Sequence, residues 1–206
     1  MQAGGRGVAD PQADVDIDGL HFDVDGERWP YHERALVVLY KPAGYECSRR
    51  PGHHPSVLSL LPAPLQRRGV QPVGRLDADT TGALLLTDDG ALLHRLTHPK
   101  HHVAKVYVAT TRHPVDAGTA ARLCEGVVLR DDPAPARAAA CEAVDAHTLR
   151  MTLTDGRYHQ VKRMVAAVGN RCEALHRESF AGWRLPADLA PGQWAWVHAS
   201  DVHAGA

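Results

Sequence analysis

Nowhere in the 206 residues does an apolar run approach the roughly 18 residues that cross a bilayer, so no membrane span is expected. The N-terminus carries Gly, Asp and Gln but no apolar core segment, which argues against a secretory signal and for a cytoplasmic protein. The four cysteines (Cys47, Cys124, Cys141, Cys172) are scattered, with no CxxC pair. That spacing excludes a disulfide framework and a zinc cluster, and predicts reduced thiols. Among fourteen histidines, the pairs His53-His54 and His101-His102 lack both the i, i+4 spacing and the accompanying carboxylates of a metal site, so no metal is expected. There is no GxGxxG, no Walker loop and no GxSxG elbow, which removes nucleotide-cofactor and serine-hydrolase chemistry; no cofactor is expected. A net charge of -1 excludes a strongly basic, non-specific nucleic-acid coat.

What is there is a globular composition, 44% hydrophobic and 23% charged, on a chain long enough to bury a core. Its cations are clustered: Arg49-Arg50, Arg67-Arg68, Lys100 beside His101-His102, and Arg157 with Lys162-Arg163. A local patch of this kind suffices for a specific nucleic-acid complex. Lysine is scarce (Lys41, Lys100, Lys105, Lys162), and three of the four fall in the motifs below.

Residues 1–13 have nothing to bury and are expected to be disordered, and 15–28 alternates apolar and acidic residues around Gly19 and Gly26 as one hairpin would. The run 35–40 reads as a buried strand ended by the turn Lys41-Pro42-Ala43-Gly44, and Pro55–Leu61 as a short helix closed by Pro62. Helices are predicted over 90–97, 114–126 and 157–168, the last with Val161, Met164, Val165 and Val168 on one face and Gly169-Asn170 as its C-cap. Strands are predicted over 103–110, 136–144, 148–154, 172–177 and 193–197. Strands in neighbouring pairs predict an α+β fold with a mostly antiparallel mixed sheet.

Three constellations could carry chemistry. In Gly74-Arg75-Leu76-Asp77-Ala78-Asp79-Thr80-Thr81-Gly82 a tight connection between two apolar runs presents carboxylates, a place suited to a nucleophile or general acid. Taken alone, the run also reads as an ordinary polar loop. In Asp155–Met164 the apolar stripe anchors a helix and sends Lys162 and Arg163 away from the core, either as a solvated face or as partners for a carboxylate and for phosphates. In Lys105-Val106-Tyr107, alternation puts Lys105 and Tyr107 on one face, with Val106 and Val108 expected to face the core. A tyrosine in a cleft can stack on a base and exchange a proton.

Taken in order, the motifs resemble the ribosomal small-subunit pseudouridine synthase A family. The matching pieces are Lys41–Ser48, His54–Leu58, Gly74–Gly82 with Leu86–Gly90, and Lys105–Tyr107; then Gly156–Met164, Ala167–Asn170, Leu175–Glu178 and Asp188–Gly192. They run collinearly through residues 35–197. The resemblance implies a pseudouridine synthase catalytic fold, with two subdomains flanked by helices and loops and the cleft between them. Asp77 matches the family's catalytic aspartate, which breaks the glycosidic bond of a uridine so that the base can rejoin through C5. Tyr107 matches the tyrosine that packs on the uracil and takes part in removing the C5 proton, Lys162 the cation paired with the aspartate, Leu175 the apolar pocket residue, and Arg75 an arginine that helps displace the flipped nucleotide. Arg157, His159, Gln160 and Arg163 are further expected substrate contacts within the same matched segment. Isomerisation needs only a carboxylate and proton transfer, and the target base must leave its stack at a cost of a few kcal/mol.

The implied activity is isomerisation of uridine to pseudouridine in ribosomal RNA, most similar to the small-subunit (16S) branch, with a large-subunit (23S) target as the alternative. A different class, an rRNA-binding assembly factor without essential catalysis, is opposed by the joint presence of Asp77, Tyr107 and Lys162. The expected partner is ribosomal RNA or a pre-ribosomal particle, bound by a monomer. The expected organisation is a disordered 1–13, a hairpin at 14–33 as remnant of the S4-type RNA-binding domain that family members commonly carry, a catalytic domain at 34–200, and a disordered tail at 201–206. A misassigned start is an alternative explanation of the short N-terminal region. Ser179-Phe180-Ala181-Gly182 departs from the family pattern at a place that bears on RNA contacts more than on chemistry.

Overall fold

Two apolar runs set the centre of the fold. In the computed structural model, which describes residues 17, 19–24, 26–130 and 132–203 with the backbone alone of 2–3 and 6–7, Leu36–Lys41 and Thr81–Thr87 pair antiparallel. Alternation sends Val37, Leu39, Leu84 and Leu86 to one side and Leu36, Val38 and Leu85 to the other, and both sides are covered. In chain order the elements are β1 (Gln2–Ala3), β2 (Arg6–Gly7), β3 (His21–Val24), β4 (Glu27–Pro30), β5 (Leu36–Lys41), α1 (Ala63–Arg68), β6 (Gln71–Pro72), β7 (Thr81–Thr87) and α2 (Gly90–Thr97). There follow β8 (Lys105–Thr111), α3 (Ala117–Glu125), β9 (Val127–Leu129), β10 (Asp132–Ala136), β11 (Ala140–Asp145), β12 (Thr148–Leu153), α4 (Gln160–Ala167), β13 (Cys172–Phe180), β14 (Trp183–Arg184) and β15 (Trp194–Trp196).

The main sheet has nine strands in the order β11-β12-β8-β13-β7-β5-β15, with β14 beside β13 and β6 beside β7. Its pairings are antiparallel except between β13 and β7, a parallel seam of two residue pairs, His176 with Thr81 and Arg177 with Gly82. The α+β class and the mixed, mostly antiparallel sheet are therefore as expected. On one side of the seam, α3 and α4 cover β8, β12 and β13 through Leu123, Val161, Met164 and Val165 against Ala109, Leu149, Met151 and Leu175. On the other, residues of α1 and the β3–β4 hairpin close over β5 and β7. Tyr107 packs against both cores, so the cleft between the subdomains runs along β8.

Several expectations are corrected. Val106 and Val108 belong to no core cluster; the buried side of β8 is that of Tyr107 and Ala109, because α4 lies there. The strand foreseen at 136–144 is β11, which begins at Ala140, and ahead of it runs a ribbon of β9 and β10 that was not foreseen. Pro133 and Pro135 sit in β10 and are tolerated because that ribbon is only two-stranded. Pro55–Leu61 holds a 3-10 turn, Val57–Leu60, capped by the Ser56 side chain, and the true helix α1 follows Pro62. Helix α4 begins at Gln160 instead of 157 because His159 takes a left-handed backbone at its N-cap, φ 48.

Residues 1, 4–5 and 8–13, expected to be disordered, lie outside the described residues, as do 204–206. The hairpin β3–β4 is docked on the core: Trp29 is buried and stacks on Trp194, ring centroids 5.9 Å apart. Val202 is buried in the same domain, so the packed unit extends beyond the 34–200 expected and includes part of the expected tail.

Candidate active site

The loop 74–80 is built for rigidity before it is built for chemistry. It leaves β6 through Gly74, at φ 74, and closes on a turn in which the Thr80 N–H donates to the Asp77 carbonyl at 3.1 Å. Behind it Lys41, at the end of β5, is 0% exposed, and its ammonium donates to the carbonyls of Pro42 (3.0 Å), Ala78 (3.1 Å) and Thr80 (2.8 Å). Burial pulls the Lys41 pKa down, and the nearby Cys47, Asp79 and Asp77 oppose that. The Gly44 N–H adds a bond to the Ala78 carbonyl at 2.8 Å. Gly82, at φ 112, lets β7 lie against β13, since a Cβ there would overlap the Arg177 backbone.

Opposite the loop, the apolar stripe of α4 is held in the core and turns Lys162 toward it. The Lys162 ammonium lies 3.1 Å from Asp77 Oδ2 and 2.6 Å from Asp79 Oδ1. Burial would lower the Lys162 pKa, but the hydrogen bonds it donates to both carboxylates, and their charge, outweigh it and hold the group above the usual lysine value. For Asp79 burial works upward, and the Lys162 hydrogen bond and charge bring its pKa below the ordinary value. His159 Nε2 stands 3.3 Å from Asp77 Oδ1, so the aspartate is flanked by two nitrogen groups.

A cavity of about 410 Å³ opens on this group. Asp77, Tyr107, Leu175, Arg75, His159 and Arg177 are among its lining residues. Lys105 also lines it, with a pKa pushed down to about 8 by burial and by the neighbouring Arg177 charge. Leu175 reaches it from β13, opposite Ala109 of β8. Arg75 is exposed and makes no ion pair among the described residues. The structure thus brings Asp77, Tyr107, Lys162, Leu175, Arg75 and His159 to one place. A carboxylate clamped by a cation, beside an apolar wall and a tyrosine, can act on a flat, uncharged ring drawn into the cavity.

Two expected substrate contacts, Arg157 and Gln160, line the cavity and are also bonded within the protein. Arg157 pairs with Asp132 at 2.8 Å and Asp155 at 3.3 Å and donates to the carbonyls of Ala134 (2.6 Å) and Pro135 (3.1 Å). Gln160 is buried, receives the Arg157 N–H at 2.8 Å and donates to Asp155 at 2.5 Å. Both fasten the start of α4 to its surroundings. Arg163 donates to the Tyr158 carbonyl at 3.2 Å and is not among the cavity-lining residues. Asp79, for which the matched motif implies no catalytic role, takes the shortest ion pair of the site; the Asp-x-Asp spacing was the available signal. Sequence reasoning also missed Arg177, 1% exposed, whose guanidinium donates to the Ala83 carbonyl at 2.7 Å.

Comparison with known proteins decides the family: residues 35–167 match the RNA pseudouridylate synthase model. The chain belongs to that family. As a synthase of this kind it is 42% identical over 185 residues to the ribosomal small subunit pseudouridine synthase A of Yersinia pestis, covering 89% of this chain and 75% of that one. It is also 42% identical over 184 residues to the protein of the same name from Escherichia coli K12, covering 89% and 77%. A solved pseudouridylate synthase superposes with a TM-score of 0.77 at 34% identity, over 97% of this synthase and 86% of the other. No helix among the synthase's described residues is long and apolar enough to cross a membrane.

Proposed function

We propose that this protein isomerises a specific uridine of small-subunit ribosomal RNA to pseudouridine, in the cytoplasm and on RNA or a pre-ribosomal particle. The observation that carries the chemistry is the clamp on Asp77: Lys162 at 3.1 Å, in a cavity lined by Tyr107 and Leu175. The small-subunit assignment draws on relatives at 42% identity that bear that substrate in their names.

In this reading the target nucleotide leaves its stack, helped by the exposed Arg75, and its uracil lies against Tyr107 and Leu175. Asp77 attacks, the N1–C1′ bond breaks, the base turns, and a C5–C1′ bond forms as the bond to Asp77 breaks and frees the carboxylate. The C5 proton is lost, with Tyr107 positioned to accept it, and N1 ends protonated, so the product is an isomer of the substrate. Lys162 offsets the charge of Asp77 throughout, and Lys41 keeps the loop from following the substrate.

Pseudouridine mapping of ribosomal RNA from cells carrying Asp77→Asn tests this. One small-subunit site is expected to disappear, as in a deletion strain, while the mutant protein still binds RNA. Survival of every pseudouridine in both strains overturns the enzymatic reading. Loss of a large-subunit site instead keeps the enzyme and moves its substrate.

A further inference from the structure

Tyr158 has no part in the chemistry above, yet it stands at the site. It is 74% exposed, lines the cavity, and stacks its ring on His159, centroids 3.8 Å apart and planes 21° from parallel. A single exposed tyrosine is ordinary on a protein surface. This one is different because of what lies beneath it. The His159 ring that supports it also touches Asp77, at 3.3 Å. The His159 backbone is held in the left-handed region, φ 48, an unfavourable conformation for a residue with a side chain. The residues on either side are fixed: Arg157 by its ion pairs, Gln160 by burial, and the Tyr158 carbonyl by Arg163. One face of the Tyr158 ring is therefore backed by an imidazole, and most of the residue's surface stays open at the rim of the cavity.

We propose that Tyr158 is a stacking platform for the base of an unpaired nucleotide next to the target uridine. A base drawn out of its stack leaves its neighbours short of a stacking partner, and an aromatic face at the mouth of the pocket replaces it. The chain Asp77–His159–Tyr158 then ties the position of the flanking base to the position of the reacting carboxylate. Because any base has a π-face, the platform secures the register of the RNA and leaves the choice of base to other contacts. This inference rests on the reading that the cavity takes a uridine of RNA.

The test uses the full chain and an unmodified small-subunit rRNA transcript spanning the mapped uridine. Tyr158→Ala and Tyr158→Leu are expected to raise KM and the Kd for RNA about 5- to 100-fold with kcat within about 3-fold, and Tyr158→Phe to match the wild type. With 2-aminopurine placed on either side of the target, one position should be quenched by the wild type and by Tyr158→Phe, and not by Tyr158→Ala. Unchanged KM and Kd in Tyr158→Ala overturn the proposal, as does a fall in kcat alone, which would mean that Tyr158 acts only through His159. If the unmutated protein itself neither binds nor modifies the transcript, the underlying substrate reading has failed along with the platform.

Discussion

At the scale of single residues, the site turns on one ammonium shared by two carboxylates. Lys162 lies closer to Asp79 (2.6 Å) than to Asp77 (3.1 Å), but the Asp79 side chain is 72% exposed and well solvated. Water screens that pair, so the energetically weightier contact is the longer one to Asp77. Lys162→Met is expected to lower the single-turnover rate at least about 100-fold, because the carboxylate proposed to react, Asp77, loses its counter-charge. Asp79→Asn should change it less than about 5-fold, since Lys162 then serves Asp77 alone. Equal damage from the two substitutions would contradict this division of roles. That Asp77, Tyr107 and Lys162 gather at one place was legible in the sequence because each sits in an ordered motif. The ion pair of Asp79 was not, because its partner is 83 residues away and the local Asp-Ala-Asp-Thr spelling is equally that of a turn.

At the scale of elements, most strands and helices were legible from periodicity, and the errors share a cause. β9 and β10 were missed because Asp132-Pro133-Ala134-Pro135-Ala136 has neither alternation nor free N–H groups at its prolines, and only the pairing with β9 makes it a strand. The same ribbon holds the Arg157 guanidinium: its acceptors Asp132, Ala134 and Pro135 lie on β10, 22 or more residues away. Arg157→Gln should therefore destabilise the fold by about 1–2 kcal/mol in chemical denaturation, given partial exposure of the pairs. The salt dependence of RNA affinity should be unchanged, whereas loss of a phosphate contact would lower the slope of log Kd against log salt by about one.

At the scale of the whole molecule, the parallel seam between β13 and β7 joins the two subdomains, and Gly82 is its tightest point. Composition and pattern foretold a mixed sheet, but not where its parallel junction falls, since that depends on paired residues 95 apart in sequence. Gly82→Ala combines an unfavourable φ with overlap against the Arg177 backbone. A loss of about 3 kcal/mol or more is expected, read as a large drop in Tm or as failure to accumulate folded protein. A Tm within a degree or two of wild type would mean that the seam can yield.

Lys41 and the loop it grips are only 37 to 39 residues apart, whereas Lys162 joins Asp77 across 85 residues. As the chain emerges during synthesis, the reacting loop can be shaped long before its counter-ion exists. The pairing of Asp77 with its counter-charge therefore waits until α4 has docked against the loop.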